Sequence, residues 1–265
     1  GHADNPEASD LTEDINSLSG ESLKLALDKL FKAADTSILH GDNVLILSDR
    51  GMNKKNAPIP ALLAVAGLHH HLIRQGTRTK VSIILESGEP REVHHFAVLL
   101  GYGCDVINPY IAIDTLAQMT EDGELDMAHD DAVKKYLKAS IKGVIKTMSK
   151  MGISVLNSYQ GAQIFEALGV GKEVVNYAFT GVHSRIGGVG FKEIAEESLV
   201  RHRAAFETEA KENRVLDLGD PGYNRYRKSG EAHAITTDII KNFHTFVRDG
   251  KKEDYDDYVK VTLDN

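Results

Sequence analysis

Three short apolar runs set the limits on what this chain can fold into: NVLILS at Asn43–Ser48, KVSIILE at Lys80–Glu86 and CDVIN at Cys104–Asn108. A strand buried on both faces reads as a continuous apolar run, whereas a half-exposed strand alternates apolar and polar residues. Between these runs lie stretches whose apolar residues recur at helical spacing, 58–75 and 92–100. The first carries two prolines near its start, where a missing N–H is harmless. Strands joined through helices run parallel, by right-handed crossovers. The three runs therefore predict a parallel sheet buried between layers of helix.

The same alternation extends further along the chain. Asp131–Met151 predicts a long helix with Val133, Leu137, Ile141, Val144, Ile145 and Met148 on its buried side, ended by Gly152. A fourth strand follows at Ile153–Leu156, a short helix at Gln163–Leu168 and a fifth strand at Glu173–Phe179. A glycine-rich turn, Gly181–Gly190, leads into a helix over 191–212. Ahead of the first strand, residues 21–35 read as a helix behind a polar leader, and 120–131 reads as an exposed acidic loop. Past residue 215 come a polar loop, 216–234, and two short helices at 236–248 and 253–260. The organisation expected is a leader and helix over 1–35, an α/β domain over 36–215 and a helical tail over 216–265. Five strand–helix units are too few to close an eight-stranded barrel. The fold class predicted is α/β: an incomplete TIM-like (βα) barrel, or an open parallel sheet of about five strands with flanking helices.

Composition narrows the function classes. The apolar fraction of 42% supports a packed core. The net charge of −8 comes without a basic stripe, which argues against nucleic-acid binding. No run reaches the roughly 18 apolar residues of a membrane-spanning helix. The polar start, Gly1–Asp10, lacks the apolar stretch of a signal peptide. Gly1-His2 reads as a cloning remnant, and the chain as a piece of a longer one. A single cysteine, Cys104, permits no internal disulfide and no metal site built from four thiolates, and a reducing cytosolic setting fits it.

Functional groups of parallel α/β folds gather at the carboxyl ends of the strands. Those ends read Ser48-Asp49-Arg50, Glu86-Ser87-Gly88-Glu89, Asn108-Pro109-Tyr110, Asn157-Ser158-Tyr159-Gln160 and Thr180-Gly181, with His183, Ser184 and Arg185 just beyond. Convergence of Asp49, Arg50, Glu86, Asn108, Tyr159, Ser184 and Arg185 would make a charged pocket able to take a small anion or phosphate. The competing reading is an ion-pair network that closes the top of the sheet, and placement alone does not license a function. His69-His70-His71 and His94-His95 lack the i, i+4 spacing of a helical zinc motif. They read instead as rings bonded to nearby backbone or acids, or facing water. The segment GVHSRIGGVG (181–190) stands where backbone amides cradle a phosphate, without the spacing of a nucleotide or dinucleotide loop. Cys104 reads as a packed, inert thiol. Residues 222–231, GYNRYRKSGE, interleave tyrosines with basic residues, and on an acidic protein this suggests contact with another protein surface.

Several strings then line up in order: LSDRGMNKKNAPIPALLAVAGLHHHLIRQG (47–76), GEPREVHHFAVLLGYGCDVINPY (88–110), KGVIKTMSKMGISVLNSYQGAQIFEALG (142–169), SRIGGVGF (184–191) and GYNRYRKSGEAHA (222–234). Together they resemble the central, connecting region of the glutamate synthase large chain, up to the start of its FMN-binding domain. The resemblance implies a parent in which an amidotransferase domain with a cysteine nucleophile releases ammonia from glutamine. The ammonia reaches an FMN barrel, where 2-oxoglutarate becomes glutamate with electrons passed through a 3Fe–4S cluster. It implies the amidotransferase and FMN domains as this segment's partners, and no catalytic, cofactor or metal residue within it. Truncation could also expose surface for self-association. Val182-His183 departs from the family, which tends to carry Thr and then a small residue there.

Overall fold

The computed structural model describes residues 9–10, 12–14, 19–207 and 233–264. Strands β1 (Ser9–Asp10), β3 (Val44–Ser48), β5 (Ser82–Glu86) and β6 (Val106–Asn108) form one parallel sheet in the order β1-β3-β5-β6. The register sets Leu45 beside Ile83, Leu47 beside Leu85 and Leu85 beside Ile107. The three runs singled out in the sequence are thus the three longer strands of this sheet. A second, antiparallel pair joins β2 (Thr12–Asp14) to β4 (Asn56–Pro58). A third pair, β7 (Leu168–Val170) with β8 (Ile186–Val189), is parallel.

Helix α1 (Gly20–His40) begins at a capping box: the Ser22 amide donates to Ser19 Oγ (3.2 Å) and the Ser19 amide to Ser22 Oγ (2.6 Å). It ends at Gly41, whose φ of 100° is the left-handed conformation that suits a residue without Cβ. Its buried face, Leu23, Leu27, Leu30 and Phe31, packs into the main core. Helix α2 (Ala61–Arg74) crosses from β3 to β5 and is buried almost all round, touching α1, β5, α3 (Val93–Gly101) and α7 (Lys172–Ala178). It starts only after Pro60, because Asn56–Pro58, whose last residue the sequence reading placed in the helix, pairs as β4. A helix absent from the sequence reading, α4 (Tyr110–Glu121), follows Pro109 directly. Next comes α5 (His129–Lys150), which packs on α3 and α4.

Two strands predicted from sequence are not strands. Ile153–Leu156 is an irregular approach to the single turn α6 (Leu156–Tyr159), and Glu173–Phe179 falls in helix α7. In α7 the apolar residues Val174, Val175 and Ala178 share one buried face. A run that short does not distinguish a buried strand from a helical face. The helix expected at Gln163–Leu168 is irregular until β7 begins, and the glycine-rich turn contains β8. The sheets are therefore open: a four-stranded parallel layer, a two-stranded parallel pair and flanking helices, with no closed barrel among the described residues. Helix α8 (Phe191–Glu207) packs against α1.

The chain divides into two compact units, Gly1–Glu212 and Asn213–Asn265. The second holds α9 (Thr237–Asp249) and α10 (Lys252–Leu263). Thr236 Oγ1 caps α9 by accepting from the Ile239 amide (3.3 Å). Ring contacts Phe246–Tyr255 (5.1 Å) and Phe243–Tyr258 (5.4 Å) pair the helices as an antiparallel hairpin. The basic, tyrosine-bearing stretch 222–231 lies outside the described residues.

Candidate functional site at the strand ends

Where β3, β5 and β6 end, four of the seven predicted site residues come together. Glu86 is the hub. Its Oε1 accepts from Arg50 Nε (2.7 Å) and Asn108 Nδ2 (3.2 Å), and its Oε2 from Ser48 Oγ (2.7 Å). The Arg50 bond holds the Glu86 carboxyl below its usual range, and Glu86 in turn raises the Arg50 guanidinium. Arg50 also lies over the Tyr110 ring, 4.1 Å from its centroid. Asp49, only 2% exposed, is held separately. Its Oδ2 accepts from Ser87 Oγ (2.6 Å) and the Gly88 amide (3.0 Å). Burial, reinforced by a bond to Asp49, pushes the Tyr110 phenol upward. Backbone bonds from Asp49 N to Glu86 O and from Ser87 N to Asn108 O carry the sheet ladder one step past the strands, which aligns these side chains.

Tyr159, Ser184 and Arg185 are elsewhere. Tyr159 is fully buried and donates to the Ala97 carbonyl (2.9 Å), packed edge-on against Phe165 in a satellite core with Phe96, Val144 and Met148. Ser184 Oγ donates back to the Val170 (3.0 Å) and Ile186 (3.2 Å) carbonyls. Arg185 is exposed and pairs with Glu166 at 3.5 Å. The reason is the one that removed the fourth and fifth strands: these residues do not end strands of the main sheet. The two arginines share neither a carboxylate nor a sheet, so the anion-pocket reading lacks its second cation and finds no support. Ser48, Ser87 and Tyr110 complete the cluster instead. All three lay in the strand-end segments already singled out, and only the chemistry of a stacked ring and of hydroxyl bridges was missed.

A second polar network sits at the opposite end of β5 and β6. Arg78 donates to His69 Nδ1 (3.0 Å), to the Val81 and Gly103 carbonyls (2.7 Å each) and to Asp105 (3.0 Å). Asp105 also accepts from the Ile83 amide (2.8 Å) and from Gln160 (3.0 Å). Burial, helped by the neighbouring Arg78 charge, lowers the His69 pKa to about 4. The other histidines follow the sequence reading. His70 Nδ1 meets the Ala66 carbonyl, His71 pairs with Asp35 while stacked on Phe31, and His95 Nδ1 accepts from the Arg91 amide.

The residues present do not fit the cofactors that the resemblance implies for a parent enzyme. A 3Fe–4S cluster needs several thiolates, and the one thiol here, on Cys104, is fully buried with its pKa pushed up by burial to about 12. Among the described residues no group of three or more His, Cys, Asp or Glu is arranged to hold a metal ion. Part of the segment 181–190 is already engaged. Its Ile186–Val189 part is engaged as β8, and the Gly190 amide at the start of α8 already donates to Glu193 (2.7 Å). No helix among the described residues is long and apolar enough to cross a membrane.

The family model for the glutamate synthase central domain matches residues 5–171. The chain is 46% identical over 251 residues to the glutamate synthase [NADPH] large chain of Bacillus subtilis, covering 95% of this chain and 16% of that protein. It is 39% identical over 246 residues to the glutamate synthase [NADH] of Saccharomyces cerevisiae (90% of this chain, 12% of that one). It is 41% identical over 240 residues to the ferredoxin-dependent glutamate synthase 2 of a Synechocystis strain (85% and 15%). The chain thus spans only 12% to 16% of the length of these curated relatives. With a buried parallel α/β layer, a strand-end cluster satisfied from within, and this match over most of its length, the chain belongs to the glutamate synthase central-domain family.

Proposed function

We propose that this chain is a non-catalytic connecting domain of a glutamate synthase large chain, working in the cytosol. In this reading it holds the amidotransferase and FMN domains of the parent in register. The parent converts glutamine, 2-oxoglutarate and reductant into two glutamates. The observation that carries the reading is the closure of the strand-end cluster. Arg50 Nε, Asn108 and Ser48 bond Glu86, and Ser87, Gly88 and Tyr110 bond Asp49. A site that binds and turns over substrate keeps donors or charges free to meet it. Here they meet one another and tie three strand ends together. The sole cysteine adds support, because a buried thiol with a raised pKa is a poor nucleophile.

The test is direct. The purified chain is assayed for ammonia release from glutamine and for glutamate formation from 2-oxoglutarate with a chemical reductant, and its visible spectrum is recorded after incubation with FMN. The expected result is no turnover in either assay and no retained flavin absorbance. Turnover, or flavin that survives gel filtration, overturns the reading.

A further inference from the structure

The buried ring of His69, in α2, is closed in by two glycines. The Gly103 backbone lies so close that a Cβ there would overlap Nδ1, and a Cβ on Gly161 would sit 3.6 Å from Nε2. Arg78, in the single turn Arg78–Lys80, donates its Nε to His69 Nδ1 at 3.0 Å. A nitrogen that accepts this bond carries no proton, so the folded ring is neutral with its hydrogen on Nε2. The same guanidinium holds Asp105, whose other oxygen accepts from Gln160 Nε2 (3.0 Å). Gln160 Nε2 also donates to the Cys104 carbonyl (2.9 Å). Gln160 begins a short loop, Gln160–Gln163, whose Gly161, Ala162 and Gln163 are exposed. The Gly161 amide pins it to the Gly101 carbonyl at 2.8 Å. Gly161 has a φ of 72° and Gln163 a φ of 55°, a left-handed conformation disfavoured for a residue with a Cβ. Tyr159, just before the loop, stays anchored in the satellite core, so the loop can lift about Gly161 without opening that core.

We propose that the loop Gln160–Gln163 is a proton-linked latch over His69, shut while the ring is neutral and lifted as the ring takes up a proton. The added proton goes on Nδ1, the atom that faces Arg78. The bond from Arg78 Nε is then lost, and two like charges are left side by side. The charged or titratable groups around the ring are Arg78, His70 of the same helix and Asp105, and of these only Asp105 opposes the new charge. Asp105 is already bonded to Arg78, the Ile83 amide and Gln160. Lifting the loop uncovers the Nε2 edge, gives the imidazolium water to bond, and releases Asp105 from Gln160. The coupling is reciprocal: acid opens the latch, and an open latch makes the ring easier to protonate. With a folded pKa of about 4 against an ordinary 6.5, the opening strengthens as pH falls through that window.

The test is native-state hydrogen exchange on the whole chain, followed by NMR at about pH 7.5 and about pH 5, each with and without about 1 M urea. Corrected for intrinsic exchange, the Gly161 amide should open locally, in a step that urea leaves unchanged. Its protection should fall roughly twentyfold between the two pH values, as a group with pKa 6.5 when free and about 4 when folded requires. In His69→Gln this pH dependence should vanish. Gln160→Ala unties the loop from Asp105, and there the His69 ring resonances should titrate nearer to 6.5. That second variant reads the coupling from its other end and keeps the test open if His69→Gln folds poorly. The proposal is overturned by any of these: Gly161 opening only with global unfolding, equal protection at the two pH values, a pH dependence that survives in His69→Gln, or a His69 midpoint in Gln160→Ala that stays where it is in the unsubstituted chain.

Discussion

Asp49 and Arg50 are neighbours in sequence with unequal structural weight. The Asp49 carboxylate is almost fully buried, and its removal strands the Ser87 hydroxyl, the Gly88 amide and the Tyr110 phenol. Asp49→Ala should cost about 2–3 kcal/mol in a urea denaturation series, the usual loss when buried donors are left unmade. The Arg50 side chain is half exposed, so Arg50→Met should cost under about 1 kcal/mol despite the short ion pair. His69 supplies a pH dependence. Its folded pKa of about 4 lies below the ordinary value of 6.5, so the unfolded chain takes up the proton first. Folding should therefore lose up to roughly 3 kcal/mol from this group as pH falls from about 6.5 to about 4, with the loss complete below that. Denaturation midpoints measured at the two ends of the window should differ less in His69→Gln. Asp49, Arg50, Glu86 and Asn108 were legible as a cluster because they end apolar runs that could only be buried strands. Tyr159, Ser184 and Arg185 were not, because their placement depended on strands that tertiary packing turned into a turn and a helix.

Elements differ in how firmly local chemistry commits them. Helix α1 has a cap, an apolar stripe and a glycine stop that all agree, and it forms where the sequence puts it apart from an extra turn at its end. The Val174-Val175 pair had only its apolarity, and the opportunity to pack against α2 decided for helix. The β7–β8 pair depends on close backbone approach. A Cβ at Gly188 would fall inside contact distance of the Gly169 carbonyl oxygen, a backbone atom that cannot rotate away. Gly188→Ala should therefore part this pair locally, at about 1–3 kcal/mol, the usual range for overpacking. Hydrogen exchange should quicken at residues 168–170 and 186–189 while β3 and β5 keep their protection. Helix α5 shows the reverse of α7. Its period and the side it turns inward were read correctly, but of the six residues named only Val144 and Met148 are buried, since an apolar residue on a long helix is buried only if something arrives to cover it.

For the molecule as a whole, the main core is built from α1, α2 and the main sheet, and smaller satellites lie toward α5 and α7. Leu137, Ile141 and Ile145 are exposed on α5 and β6 is an edge of its sheet among the described residues, so weak self-association through this face, opposed by the α5 lysines, is the outcome to test. Light scattering should find a monomer at about 0.15 M salt. At about 1 M salt, where charges are screened within about 3 Å, association should appear and be removed by Ile141→Ser. Association that is strong at low salt would show that the α5 lysines do not oppose it.

By itself the sequence determined the α/β class, the three strands of the main sheet, the residues that meet at their ends, and the family. Each of these rests on a local signal strong enough to have one physical solution: an apolar run too continuous for a half-exposed strand, or motifs too long to recur by chance. Tertiary structure alone decided that the fourth and fifth apolar segments are not strands, that Tyr159 belongs to the core, and that the outer side of α5 stays uncovered. In each case the local pattern was compatible with two arrangements, and the choice fell to whichever buried more apolar surface against the neighbours actually present.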